Sequence, residues 1–300
     1  MNFITQDIPI RGGLASQIQQ YMSLYAVATE TNKEIVFRES LIGKGGGFAF
    51  NKILNIPVRL EADSFFENFT QFEHNHSLIV DKSCFDLNQE LNYELTGRFD
   101  LFHYWYPRYK NYAMNLEWNS LYYEVAEKQK KELSVNGKEL VSIHVRRGDY
   151  LLPQHHHFCI LGIDYYTEAL SYFMSDIEKY HFVVFSNDIE WCKENLIEGD
   201  MVSYIGSGEG DFGVPPPSDF PPPLSVEPSE KALSDLIFMS LCEHNIIANS
   251  SYSWWAAFKN KNQNKKVICP KNYLKNYSSF NHINGNYYPP EWIAINNFNG

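Results

Sequence analysis

Three short polar runs carry the residue types that could do chemistry: Arg146-Arg147-Gly148-Asp149, Ser186-Asn187-Asp188 and Asn249-Ser250-Ser251-Tyr252-Ser253. Adjacent arginines beside glycine and aspartate make a compact anion clamp, because guanidinium grips phosphate oxygens bidentately and keeps its charge when buried. Asp149 can orient one guanidinium or act as an acceptor. Taken with Tyr150 as an isolated pentapeptide, this run reads equally well as an Arg–Asp surface turn worth little energetically. The third run places Ser250, Ser251 and Ser253 at a helix start, where hydroxyls, free backbone N–H groups and the helix dipole suit a phosphate. One serine would suffice as an ordinary N-cap. Asp188 could receive ribose or base donors, or cap the helix beside Asn187; alone, the cap is preferred. Gly12-Gly13 before a helix resembles a nucleotide loop but lacks GxGxxG, and glycine turns are common. Consecutive side chains of His155-His156-His157 diverge, so a polar loop is favoured over a metal site. No Gly-x-Ser-x-Gly elbow supports an α/β-hydrolase.

The elements that must position these runs are readable from periodicity. A strand near Phe3 to Ile10 ends at Gly12-Gly13, and Leu14, Ile18, Tyr21, Tyr25 and Ala28 then line one helical face, with Gln17 and Gln20 off it. Glu34 to Phe37 reads as a strand and residues 43–47 as a surface loop. The aromatic-rich stretch from about 50 to 115 shows no clear pattern. Tyr122 to Leu133 reads as a helix. Glu139 to Val145 is a strand running into Arg146; Asp164 to Phe173 is a helix. His181 to Phe185 is a buried strand, followed by a helix whose Asn187 and Glu190 have capping-box-like spacing. Residues 206–230, rich in Gly and Pro, form no regular element. A helix from about Ser234 to Glu243 leads to a strand, Asn245 to Ala248, and a helix from Trp254-Trp255. Val267 to Cys269 is a last strand, stopped by Pro270. Strand, polar loop and helix thus recur three times, which predicts a parallel α/β sheet. Ligands bind outside the carboxyl ends of such strands, so the three runs should share one site.

The chain has 300 residues and a formal charge of −11, enough for one large or two medium domains. The acidic balance excludes a general nucleic-acid binder and broad attraction to anionic lipids. A hydrophobic fraction of 44% with 20% charged residues excludes disorder, collagen and coiled coil. Aromatics make up 16% and suit cores, interfaces or sugar rings. Five scattered cysteines without CxxC pairing fit free thiols in a reducing compartment. The N-terminus lacks a signal-peptide pattern and no long apolar run suggests a membrane span, so a soluble cytoplasmic protein is expected.

His144 to Tyr150 (HVRRGDY) resembles the HxRRGDY motif of family 11 glycosyltransferases, the bacterial α-1,2-fucosyltransferases. Asn245 to Ala257 is similar to that family's second hallmark. Phe185 to Glu194, Leu161 to Tyr165, GGLASQIQQY near the start, and Tyr288-Pro289 with Trp292 match further blocks in order. The resemblance implies an α/β GT-B-like fold, two Rossmann-like domains facing across a cleft. It places an acceptor-side domain at 1–137 and a GDP-fucose-binding domain at 138–300, whose C-terminal tail packs back on the first. It implies inverting transfer of L-fucose from GDP-β-L-fucose to the 2-hydroxyl of a terminal β-galactoside, with no cofactor and no metal. The lack of any Asp-x-Asp pair is in line with that. By the same resemblance Arg146 clamps the donor β-phosphate, His144 and Asp188 face the nucleoside, and Ser250, Ser251 and Ser253 hold phosphate. Gly12, Gly13, Ser16, Arg147, Ser186 and Asn249 complete the expected donor set. The acceptor set is Gln17, Tyr104, Trp105, Tyr106 and Asp164. Asp149 is the first candidate for the base that takes the hydroxyl proton, and His144 the second. The family's Gly-Asn is here Ala15-Ser16, and its GYWQ block reads His103-Tyr104-Trp105-Tyr106. Expected partners are the donor and a β-galactoside glycan of O-antigen type, with no nucleic acid. A lipid-linked acceptor would bring the protein to the inner face of the membrane. The rival readings are a GT-B transferase for another nucleotide sugar and a non-catalytic carbohydrate-binding protein.

Overall fold

The computed structural model describes residues 2–8, 13–42, 48–74, 80–97, 99, 101–134, 137–206, 228–275 and 287–297. Gly12, the 43–47 loop and nearly all of the 206–230 insert lie outside the described residues. The chain divides into two compact units, one built on Met1–Asn119 and one on Ser120–Val214 with Ser229–Gly300.

The first unit holds β1 (Asn2–Gln6), α1 (Leu14–Glu30), β2 (Lys33–Ile35), β3 (Phe37–Arg38), α2 (Ala49–Ile53), β4 (Leu60–Glu61), β5 (Thr70–His74), β6 (Tyr93–Gly97) and α3 (Lys110–Asn115). Its main sheet runs β2-β1-β6-β5 with every pairing parallel. The stretch from 50 to 115 therefore contributes two strands that periodicity did not reveal. Gly97 shows why β6 ends where it does: its φ of +109° suits glycine, and a Cβ there would lie 2.4 Å from the His74 carbonyl oxygen on β5.

The second unit holds α4 (Ser120–Leu133), β7 (Glu139–Val145), α5 (Ile163–Ser171), β8 (Tyr180–Ser186), α6 (Ile189–Asn195), β9 (Val202–Gly206), α7 (Glu230–Leu241), β10 (His244–Ile246), α8 (Ser251–Lys259), β11 (Val267–Pro270) and β12 (Ile293–Ile295). Against the expected boundary at residue 137, α4 belongs here. Its Lys130 donates to the Leu241 carbonyl at the end of α7 and pairs with Glu243 at 2.6 Å. The sheet order is β12-β11-β10-β7-β8-β9, all parallel. Counted from β7 as the first strand, this is the doubly wound order 3-2-1-4-5-6, which reverses between β7 and β10. Both faces of β7 are covered: Val141, Ile143 and Val145 enter one apolar cluster, while Leu140, Ser142 and His144 are buried on the other side. β11 runs through Pro270 instead of stopping before it, and Lys271 N–H closes the pairing onto Ile295 of β12 at 2.8 Å. All five cysteines are buried and free.

Candidate active site

The carboxyl ends of β7, β8 and β10 bring the three polar runs together in the second unit. Past β7, Arg146 donates from Nη2 to Asp149 Oδ2 at 2.7 Å, with side chains only 11% and 13% exposed. Its guanidinium also lies 5.5 Å from the Tyr150 ring centre. Arg147 turns the other way. Its Nε donates to Asp188 Oδ2 at 3.0 Å, and its guanidinium lies 4.1 Å over Trp191. The two arginines are thus distinct devices: Asp149 holds Arg146 within the loop, and the β8 loop holds Arg147. Asp188, not Asn187, is the N-cap of α6, accepting from Trp191 N–H at 3.4 Å. One carboxylate caps the helix and anchors Arg147, so both structural roles of Asp188 are filled. Ser186 Oγ accepts from Asp188 N–H at 2.9 Å and serves the same turn.

At the β10 end, Ser250 is the N-cap of α8 and accepts from Tyr252 N–H at 3.3 Å. Ser251 opens the helix half-buried. Ser253 points inward, its Oγ 2.8 Å from His144 Nδ1. Asn249 is fully buried, with Nδ2 donating to the carbonyls of Cys159 at 2.9 Å and Tyr273 at 2.8 Å. Ser250 and Ser253 thus help to build the loop with their own hydroxyls, and the Asn249 amide sets its shape. Tyr150, the last residue of the HVRRGDY motif and given no role from sequence, ties the first run to the third. Its hydroxyl donates to Asn249 O at 3.0 Å, and its ring stacks on Phe158 at 4.2 Å.

His144 is fully buried, and its pKa is pushed down to about 3, first by desolvation and then by the Arg146 charge. The imidazole is neutral throughout the working range and a poor proton acceptor, which weighs against it as the base. The unfolded chain protonates this histidine near 6.5 and the folded one does not until about 3. Between those values the unfolded state binds more protons, so stability falls as pH falls. The expected loss has a limiting slope of about 1.4 kcal/mol per pH unit. Urea titrations from pH 7 to 4 measure it; in His144→Gln the slope over this window should be shallower, and an unchanged slope would contradict the assignment.

The residues expected from the first half lie in the first unit. Gly13 is the exposed N-cap of α1, and a Cβ there would meet nothing within 4 Å. Ser16 is half-buried on α1. Gln17 is fully buried, and its Oε1 accepts from Ala49 N–H at 2.9 Å, which joins α1 to α2. Tyr104 and Trp105 are core residues, 4% and 1% exposed, not an acceptor surface. The Tyr104 hydroxyl accepts from Asp81 N–H at 2.9 Å and lies 3.1 Å from His74 Nε2, and Phe99 packs on both rings. Tyr106 is half-buried, with Lys110 Nζ 3.4 Å from its hydroxyl. Asp164 is exposed in the first turn of α5, in the second unit. Among the described residues no three His, Cys, Asp or Glu side chains converge as a metal set, and no helix is long and apolar enough to cross a membrane.

The family model described as glycosyl transferase family 11 matches residues 5–296. The chain belongs to that family. An alpha-1,2-colitosyltransferase of Escherichia coli is 26% identical over 95% of this chain and 97% of its own length. The O-antigen biosynthesis glycosyltransferase WbnK of Escherichia coli is 28% identical over 48% of this chain, a match spanning 42% of that relative. Among solved structures, POFUT1 in its apo form covers 89% of this chain and 97% of its own, with a TM-score of 0.53 at 11% identity. The same protein solved with GDP-fucose gives 0.52. The likeness establishes the fold: this family 11 member has the GT-B-type α/β architecture that its motifs imply.

Proposed function

We propose that this family 11 member transfers L-fucose from GDP-β-L-fucose to the 2-hydroxyl of a terminal β-galactoside, with inversion and without a metal. The observation that carries the reading is Arg146, fixed by Asp149 beside the reversal between β7 and β10. That is where a doubly wound sheet receives a nucleotide. In the step itself, the galactose oxygen attacks the anomeric carbon and the bond from that carbon to the β-phosphate oxygen breaks. GDP leaves with the electron pair, and the hydroxyl proton passes to a base or to solvent. Arg146 and the N–H groups at the start of α8 meet the charge that builds on the diphosphate. Asp149 is occupied with Arg146, so orientation is its first duty, and a proton-accepting role comes second. The second unit is the donor side, and the first is the acceptor side. WbnK's name supports an O-antigen or related surface glycan as acceptor; a lipid-linked form of it would be met at the cytoplasmic face of the membrane.

The test is incubation with GDP-fucose and a panel of β-galactosides, with linkage read by NMR. An α-1,2-fucosylated product that persists after dialysis against EDTA is expected. GDP should also raise the melting temperature by mass action, which a lectin-like protein would not show. A second reading rests on the colitosyltransferase relative: the donor sugar is colitose instead of fucose. Competing the two GDP-linked sugars for one enzyme sample separates them, and turnover of the colitosyl donor alone would replace the first reading by the second.

A further inference from the structure

We infer that Asn187 is the positioning residue for the Arg146 clamp, an inference that rests on the donor reading above. Asn187 stands just past β8, across from the loop that follows β7. Its Oδ1 accepts from Arg147 N–H at 3.0 Å. That bond fixes the orientation of the amide, because a flipped one would set donor against donor. Nδ2 is therefore the atom that faces Asp149, donating to Oδ1 at 3.4 Å. The other oxygen of Asp149 accepts from Arg146 at 2.7 Å. One side chain thus holds the loop backbone at Arg147 and the carboxylate that aims Arg146. Gly148 makes room for it: φ is +21°, and a Cβ would lie 2.4 Å from Asn187 Nδ2. The neighbouring Asp188 takes Arg147 directly at 3.0 Å. The β8 loop consequently grips both arginines, one through Asp188 and the other through Asn187 and Asp149.

Two variants test this. Asn187→Ala removes both bonds and lets Asp149 and Arg146 drift. Because Arg146 acts most strongly on the leaving diphosphate, kcat should fall about ten- to a hundredfold, with donor KM changed by less than about threefold. Asn187→Asp keeps an acceptor for Arg147 N–H but sets a second carboxylate against Asp149. The charged groups around it are Asp149, Arg146 and Arg147 from the β7 loop and Asp188 from its own. Two carboxylates this close do not both stay ionised as pH falls. Once protonated, the new group can donate as the amide did. The Asn187→Asp enzyme should therefore be slow at pH 8 and regain activity relative to wild type towards pH 5. Wild-type kcat at every pH in Asn187→Asp would overturn the inference, since a residue that merely holds the loop backbone predicts that result. So would a raised KM with unchanged kcat in Asn187→Ala. GDP calorimetry on wild type and Arg146→Ala separates the two levels. If Arg146→Ala loses GDP while the Asn187 variants behave as wild type, only this inference falls. If Arg146→Ala binds GDP normally, the donor reading falls and takes the inference with it.

Discussion

Arg146→Ala is expected to lower kcat for transfer by about a thousandfold or more, the scale seen when a preorganised cation is taken from a transferring or departing phosphate. In the structure this guanidinium is only 11% exposed and bonded to an aspartate that is 13% exposed, so its aim is set before any ligand arrives. Preorganisation makes the loss large, because no reorganisation is needed at the moment charge develops. Truncation also leaves Asp149 mostly buried without that partner, which destabilises the loop. Arg146→Lys controls for this. It restores a positive charge near Asp149 but not the planar fork, so the fold should recover while turnover does not. Circular dichroism and a melting curve report the fold, and release of GDP reports turnover. Near-normal turnover in either variant would remove Arg146 from the donor site.

Trp255→Ala should be the most damaging change to stability. Trp255 is fully buried on α8, packed edge-on against Trp254 at 5.3 Å and Phe258 at 5.4 Å. Emptying so large a site costs about 3–5 kcal/mol, from a total stability of about 5–15 kcal/mol. For a domain of this size that corresponds to a drop of roughly 6–20 °C in Tm. The damage reaches the site because α8 begins with the Ser250–Ser253 run. GDP binding should weaken in step with the loss of helix order. A Tm within about 2 °C of wild type, under 1 kcal/mol at this size, would show that the neighbours collapse into the space and that α8 does not depend on this ring.

The three site-bearing strands of the second unit were legible in the sequence because each is marked by β-branched or aromatic residues and runs abruptly into a polar loop. The strand Glu139–Val145 turns polar at Arg146, and Tyr180–Ser186 does so at Asn187. What the side chains do at those ends was less legible, because the partners come from different loops. Arg147 meets Asp188 and His144 meets Ser253 only after the sheet forms. Nothing in the spacing of either pair announces it. Strands Thr70–His74 and Tyr93–Gly97 escaped notice because they are short and carry polar residues among the apolar ones. Tyr104 and Trp105 belong to the expected acceptor set, but both pack inside together with Phe99 and Phe102. Aromatic composition alone does not separate a core from a sugar platform. The edge strand Ile293–Ile295 is three residues long, below what a pattern of alternation can establish.

The pairing of β7 with β10 has a consequence for how the protein is made. Asn245 and Ser142, hydrogen-bonded across that pair at 2.7 Å, are 103 positions apart in the chain. Parallel contacts of such separation are slow to form, since the intervening chain must be closed before they reward it. On the ribosome, the strand that leads into the arginines emerges long before the strand that leads towards the serines of α8. Until β10 arrives, β7 has one flank open and His144 lacks its Ser253 neighbour. Assembly of the site is therefore a late event in biogenesis, and the nascent chain passes through a stage with an open hydrophobic sheet edge, where chaperones would be needed most.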